Sequence, residues 1–171
     1  LVVFTPKSLL RNPCCVSSVD EMVKGSFQEV IDDPDVSPDK VKKLVFCTGK
    51  IYYEIADQRK KKKVKGLAII RVEQMYPFPK TRLSAIIAKY KNAERYVWLQ
   101  EEPGNMGAWT FMMRNFDEVA LEVVARPDSA SPATGSSKIH QIEQIELFEQ
   151  TLERSFHKEK EIRGLLTHFA K

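Results

Sequence analysis

Apolar positions along this chain fall into short runs divided by polar stretches, and the spacing inside the runs alternates between two periods. Leu44-Val45-Phe46-Cys47 is continuous and apolar, Thr48-Gly49 follows as a turn, and Ile51, Tyr52, Ile55 and Ala56 then share one helical face. The pattern repeats. Leu67 to Val72 predicts a second strand, Leu83, Ile86, Ile87 and Tyr90 form a helical stripe, and Tyr96-Val97-Trp98-Leu99 predicts a third strand. Ala108 to Phe116 reads as a helix, Val123-Val124-Ala125 as a further strand, and Ile139, Ile142, Ile145, Phe148 and Leu152 as the buried face of an amphipathic helix. Strands alternating with helices imply right-handed crossovers and a largely parallel sheet covered on both faces.

The flanks are less regular. Thr5-Pro6-Lys7-Ser8 resembles an N-cap with Pro at the first helical position, starting a short helix through Leu10 that Pro13 ends. A second short helix is expected after Ser17 or Ser18. Asp32 to Lys40 is polar and holds two prolines, which predicts an irregular surface loop. Leu1-Val2-Val3-Phe4 is like a buried strand and lacks both Met and a basic leader region, so it reads as the interior of a longer protein. Beyond Glu153 charges crowd in and Gly164 interrupts the pattern, as in an exposed helix or extension. Three segments are therefore expected: a connector over 1–16, a layered domain over 17–152 and a charged extension over 153–171.

Composition narrows the function classes. With 171 residues, 43% hydrophobic and 29% charged, the chain is long enough for one well-buried core, and its apolar residues are too dispersed for a membrane span. Twenty-seven Lys and Arg face 23 Asp and Glu, and Arg59 to Lys63 supplies a run of consecutive positive charges. A local run fits a solvated loop or helix end better than a nucleic-acid surface, which spreads its charge along a face. Cys14, Cys15 and Cys47 cannot pair completely, so reduced thiols are the simpler reading. His140, His157 and His168 lack metal-type spacing, and no structural zinc site is expected.

Three places carry candidate chemistry. Thr48-Gly49-Lys50 lies where a strand feeds a helix, at the carboxyl edge, where backbone amides, a helix dipole and a lysine address anions in open α/β folds. It is no P-loop, and a capped turn with a solvated Lys50 is the simpler reading. Glu101 and Glu102 are adjacent on an extended chain and point to opposite sides, which disfavours a catalytic dyad. A structural or interface role is favoured, one carboxylate bonding backbone amides or an Arg across a contact. Arg126 to Gly135 holds an Arg and several hydroxyls, including Ser129. It suits a phosphate or carboxylate clamp as well as it suits a buried Arg tying the loop to the sheet. Tyr76-Pro77-Phe78-Pro79 reads as a stiff link whose aromatics fill the sheet face, and Met106, Met112 and Met113 as core or contact filler. No Gly-Asp-Gly with a downstream Asn, Gly-x-Gly-x-x-Gly or Gly-x-Ser-x-Gly occurs, so no catalytic, cofactor-binding or metal residue is assigned.

Five stretches in register carry a resemblance: Thr5 to Arg11, Cys47 to Tyr53, Arg71 to Pro79, Gln100 to Trp109 and Arg126 to Gly135. From Leu1 to about Leu147 the chain resembles the C-terminal domain of the decarboxylating, thiamin-diphosphate-dependent component of the 2-oxoglutarate dehydrogenase complex. The resemblance implies a transketolase C-terminal-like fold, a three-layer α/β/α sandwich around a mixed, mainly parallel sheet of about five strands. It implies a parent that decarboxylates 2-oxoglutarate on thiamin diphosphate with magnesium, then passes the succinyl group to the lipoyl arm of a succinyltransferase component. In such a parent the cofactor lies between two preceding domains and across a homodimer. This chain would then be non-catalytic alone, packing on those domains and stabilising the dimer, with Glu101, Glu102 and Trp109 at the interface. Family members take adenine-nucleotide or acetyl-coenzyme A effectors, which points Lys50, Arg126 and Ser129 toward an anion pocket. Neither nucleic acid nor membrane is an expected partner, and the setting is bacterial cytoplasm or mitochondrial matrix. The same domain of a 2-oxoadipate dehydrogenase and a free-standing nucleotide-binding module are the rival readings.

Overall fold

The computed structural model describes residues 2–153; the expected extension, with His157, Gly164 and His168, lies beyond Glu153 and outside the described residues. Five strands form one sheet: β1 (Val30–Ile31), β2 (Lys43–Cys47), β3 (Leu67–Val72), β4 (Arg95–Pro103) and β5 (Leu121–Arg126). Their spatial order is β1-β3-β2-β4-β5, with β1 antiparallel to β3 and every other pair parallel. The helices are α1 (Val19–Lys24), α2 (Ile51–Lys61), α3 (Lys80–Lys89), α4 (Trp109–Asn115) and α5 (Ser137–Leu152). This is the expected α/β sandwich with a mixed, mostly parallel sheet.

Both faces of the sheet are dry, and the pleat explains the assignment. Val45, Cys47, Leu67, Ile69, Val97, Leu99 and Val124 point to one face, where Ile51 and Ile55 of α2 and Leu147, Phe148 and Leu152 of α5 cover them. Their strand neighbours Leu44, Phe46, Ala68, Ile70, Val72 and Trp98 point to the other, against Leu83 of α3 and Met112 of α4. Every residue of β2 is buried, as a central parallel strand requires. Each such apolar side chain contributes about 1.5–3 kcal/mol through its burial, which is why the continuous runs, rather than the turn residues, set the topology.

Several local expectations change. Only Lys7–Leu9 forms a 3-10 turn where a helix was expected, whereas α1 starts on a full capping box between Ser18 and Glu21. Val2, Val3 and Phe4 are exposed, and among the described residues no strand pairs with them. Tyr76 is 84% exposed and does not fill the sheet face; Phe78 alone reaches the aromatic cluster, with ring centroids 6.1 Å from Phe111 and 6.2 Å from Phe116. Met112 is buried, Met106 half-buried and Met113 exposed. Asp33 lies in the segment expected to be surface loop, yet is 4% exposed. Its carboxylate accepts from Arg59 and from the Ile69 N–H, the latter at 2.8 Å, and this pairing makes the burial affordable. Arg59 accordingly leaves the solvated run, while Lys60 and Lys61 close the last turn of α2 as a helix end should.

The largest revision concerns α5. Its buried residues are Gln144, Leu147, Phe148, Thr151 and Leu152, whereas Ile139, Ile142 and Ile145 are 50%, 58% and 56% exposed. At 100° per residue Ile142 stands opposite the Gln144–Thr151 face, so the isoleucine row and the core row cannot both point inward. The core row wins because Leu147, Phe148, Thr151 and Leu152 meet β2, β4 and β5, and because Gln144 has polar partners waiting there.

Candidate functional site

The carboxyl edge of the sheet gathers the charged residues singled out above. After β2 the chain turns through Gly49, whose φ of +72° is a left-handed value that side chains resist, and a Cβ there would meet no neighbour. The glycine therefore serves the turn and not a close approach. The turn delivers Lys50 to the start of α2, where its Nζ donates to the Glu101 carboxylate of β4 and, at 3.0 Å, to Glu54 one helical turn on. Burial pulls the Lys50 pKa down, but the hydrogen bonds it donates to Glu101 and Glu54, with their negative charges, outweigh that pull and raise it overall.

Gln144 links this ion pair to the end of β5. Its Nε2 donates to Glu54 at 2.8 Å and to Glu101 at 3.0 Å, while its Oε1 accepts from Arg126 at 3.0 Å. Arg126 is 8% exposed and reaches four groups: Gln144, Thr134 Oγ1 at 3.5 Å, Glu143 at 3.3 Å and His140 Nδ1 at 2.8 Å. An arginine can only donate, so His140 accepts through Nδ1 and carries its hydrogen on Nε2 in this arrangement. Thr134 donates in turn to Glu143. Arg126 thus ties the end of β5 to α5 through His140, Glu143 and Gln144, and to the loop 127–136 through Thr134 alone.

The predicted residues are thus only partly assembled. Lys50 and Arg126 belong to one network but meet only through Gln144 and its carboxylate partners. Ser129 stands apart from Lys50: its backbone is bracketed by Asn105, with N–H to Oδ1 at 3.1 Å and Nδ2 to the carbonyl at 3.0 Å. Arg126 and Ser129 do line one cleft of about 360 Å³ together with Ser131 and Thr134. Lys50 is not a solvated cap, since both its neighbours are carboxylates.

Glu101 and Glu102 point apart as the alternation requires, Glu101 into the network and Glu102 to solvent. Within the chain Glu101 is held by Lys50 and Gln144, because the Gly49 turn places that lysine against the end of β4. Trp109 begins α4 half-buried against the α3–α4 face. Its N–H donates at 2.9 Å to Gln100 Oε1, which also accepts from Trp98 Nε1 at 3.0 Å. Gln100 Nε2 closes the turn by donating to the carbonyls of Pro103 at 3.0 Å and Met106 at 2.8 Å. A Cβ on Gly107, at φ +67°, would come 3.0 Å from that amide, so glycine is needed there on two counts.

Sequence reasoning missed Gln100, His140 and Gln144. Each is a polar residue whose position coincides with a buried row: Gln100 continues β4 after Leu99, and His140 and Gln144 lie on the helical face of Leu147 and Thr151. A buried glutamine beside charged groups is costly unless every amide atom is satisfied, and here both are.

A profile of the family described as 2-oxoglutarate dehydrogenase C-terminal matches residues 16–152. Among curated proteins the chain is 44% identical over 158 residues to the 2-oxoglutarate dehydrogenase E1 component of Haemophilus influenzae, covering 89% of this chain and 17% of that protein. It is 44% identical over 155 residues to the protein of the same name from Cupriavidus necator, covering 87% and 16%. Against the multifunctional 2-oxoglutarate metabolism enzyme of Mycolicibacterium vanbaalenii the identity is 39% over 161 residues, covering 88% and 13%. The chain therefore spans about a sixth of the length of the first two relatives and less of the third.

Proposed function

The chain belongs to the 2-oxoglutarate dehydrogenase C-terminal family, and on that premise we propose that it is the carboxyl-terminal lobe of a 2-oxoglutarate-decarboxylating subunit, serving assembly rather than chemistry. The observation that carries this reading is the use made of the carboxyl edge. Lys50, Glu54, Glu101, Arg126 and Gln144 brace four elements against one another, and Gln100 holds the 101–109 turn in a fixed shape. A rigid edge of this kind presents Glu102 and the Trp109 to Met113 surface to neighbouring parts of the parent and to a second subunit.

On this proposal the parent uses thiamin diphosphate and magnesium to decarboxylate 2-oxoglutarate and hands the succinyl group to a lipoyl-bearing partner, in bacterial cytoplasm or mitochondrial matrix. Among the described residues no three His, Cys, Asp or Glu side chains converge as a metal requires. On the same proposal the magnesium and its cofactor belong to the remainder of the parent. Expected in the full-length protein is decarboxylation of 2-oxoglutarate with an artificial electron acceptor, faster than with 2-oxoadipate. Preference for 2-oxoadipate would transfer the lobe to that rival enzyme, and turnover of neither acid would defeat both readings.

A second reading, effector binding, is favoured by one atom. Arg126 Nε is buried and makes no hydrogen bond, though it stands 3.3 Å from the Glu143 carboxylate, and Arg126 borders the 360 Å³ cleft that Ser129 also lines. An adenine nucleotide or acetyl-coenzyme A entering there would compete with Glu143 for the guanidinium. Titration of the parent and of a Lys50→Ala, Arg126→Ala variant with ATP tests it: equal affinity removes the anion pocket, and loss of binding by the variant supports it.

A further inference from the structure

The row of α5 that faces away from the sheet is apolar in its middle and oppositely charged at its two ends. Ile139, Ile142 and Ile145 follow one another at three-residue spacing, each about half exposed, and together they form an apolar strip of a kind that marks a contact surface. A groove of about 630 Å³ runs beside the strip between α2 and α5, lined by Gln58, Ile145 and Phe148 among others, and leaves room for side chains of an approaching element. Lys138 stands four residues before Ile142 and Glu146 four residues after it. Both are exposed, and among the described residues neither side chain has a hydrogen-bond or ion-pair partner. At 100° per residue Lys138, Ile139, Ile145 and Glu146 all lie within about 60° of Ile142, so the five share one face.

That order of residues is complementary to itself. Turned about a two-fold axis at Ile142, a second copy of α5 runs antiparallel to the first. It brings Ile142 against its own counterpart, Ile139 level with the partner's Ile145 and Lys138 level with the partner's Glu146. Opposite charges then meet twice, about 6 Å on either side of the axis at 1.5 Å per residue. Parallel pairing would set lysine beside lysine and glutamate beside glutamate, which like-charge repulsion disfavours. Glu149 already faces Lys62 at 3.8 Å and lies beyond the level at which the partner's helix begins, so it meets no carboxylate there.

We propose that the isoleucine strip is an isologous contact between two copies of this chain, α5 against α5 in the antiparallel sense with Ile142 on the two-fold axis. The isoleucines supply the driving force, while Lys138 and Glu146 fix direction and register and make the contact weaker in high salt. Helix α5 covers the sheet face opposite to α3 and α4. The contact is therefore additional to the Trp109 to Met113 surface, and it stands or falls separately from the decarboxylase reading. Three turns of helix bury less than the roughly 1,200 Å² of a standard interface, so the pair should be weak, with Kd of about 10–100 μM.

Sedimentation equilibrium of the full chain between about 5 and 500 μM tests it, and reversible dimerisation is the expected result. A monomer throughout overturns the proposal. Ile142→Asp alters a side chain outside the core, so a dilute sample should keep its melting temperature while the dimer weakens at least tenfold; a dimer that survives uses another face and overturns it as well. Register has its own test. Lys138→Glu and Glu146→Lys should each weaken the dimer about threefold, and the two together should restore it; single reversals without effect, or a double variant no tighter than either, overturn the antiparallel arrangement. In a chain carrying Cys14→Ser and Cys15→Ser, Ile142→Cys should oxidise to a disulfide between copies, because position 142 faces itself across the axis. Lys138→Cys in the same background should not, its counterpart lying about 12 Å along the helix. Equal crosslinking at both positions, or none at 142, overturns the proposal.

Discussion

Lys43 opens β2 and Lys50 stands just beyond its end, so the two lysines occupy opposite edges of one sheet and are both drawn out of water. Lys43 is 7% exposed and its Nζ donates to the carbonyls of Thr151, at 3.1 Å, and Glu153. Burial pushes its pKa down to about 8, and the nearby Arg95 charge adds to the fall. Lys50 suffers the same desolvation but faces the Glu101 and Glu54 carboxylates, and its pKa ends above the ordinary value. The difference teaches that a neutral acceptor satisfies the hydrogens of a buried cation without returning the solvation its charge has lost, whereas a carboxylate does both.

Arg59 extends the comparison to its far end, where a buried cation meets a buried carboxylate. Asp33 is nearly closed off from solvent and serves Arg59 together with the Ile69 and Asp35 N–H groups. Asp33→Ala leaves the buried arginine with the Leu67 carbonyl at 3.2 Å and the exposed Asp35 carboxylate at 3.7 Å as its remaining partners, so the expected loss is the largest here, about 3 kcal/mol, measured by urea unfolding. If charge compensation is the cause, Asp33→Ala with Arg59→Met recovers a large part of that loss. Failure of the double variant to recover any stability would locate the effect in the Ile69 and Asp35 backbone bonds instead.

The two lysines should also oppose one another in their pH response. Lys43 binds its proton less tightly folded than unfolded, so between about pH 8 and its ordinary 10.5 the unfolded chain holds more protons and stability rises with pH. The charge carries a cost below that window and is relieved above it, by on the order of 3 kcal/mol. Lys50 runs the other way: its contribution is complete below the ordinary lysine value and is lost as pH climbs through its raised folded value. Unfolding free energies across pH 7–11 for the parent and for Lys43→Met measure this. The variant should lack the rise above pH 8, and a rise of equal size in both would remove Lys43 as its source.

How much of this was visible beforehand divides along the same line. The runs at 44–47, 67–72 and 96–99 announced their strands because a strand covered on both faces tolerates little but apolar residues, and the helices between them followed from period alone. β1 did not announce itself, being two residues held to β3 in the antiparallel sense after a polar stretch. On α5 the period pointed to the wrong face, since three isoleucines outscore a row containing Gln144 and Thr151 until the partners of Gln144 are known. Lys50, Glu101 and Arg126 were individually legible as charged residues at strand ends, but charge type says nothing about which neighbours a fold brings. The anion-pocket expectation took the two cations without their carboxylates; the structure adds Glu54 beside Lys50 and Glu143 beside Arg126, with which an anion would have to compete.

The network around Gln144 allows the finest division, because its members share partners where Lys43 and Arg59 have their own. Lys50 and Arg126 both act on the amide of Gln144, the lysine through Glu101 and Glu54 and the arginine directly. Removing either charge should loosen the hold of the other, since bonds in series polarise and orient one another. A double-mutant cycle of Lys50→Met and Arg126→Met is therefore expected to show coupling of about 1 kcal/mol, while Lys43→Met with Arg126→Met, which share no partner, should add within about 0.5 kcal/mol. Gln144→Leu sharpens the test: it keeps the volume, deletes the relay and should abolish the coupling between Lys50 and Arg126. Coupling that survives in the Gln144→Leu background would mean that the two cations communicate through the packing of α5 on the sheet, and the contrast between the two edges would then rest on geometry and not on shared charge.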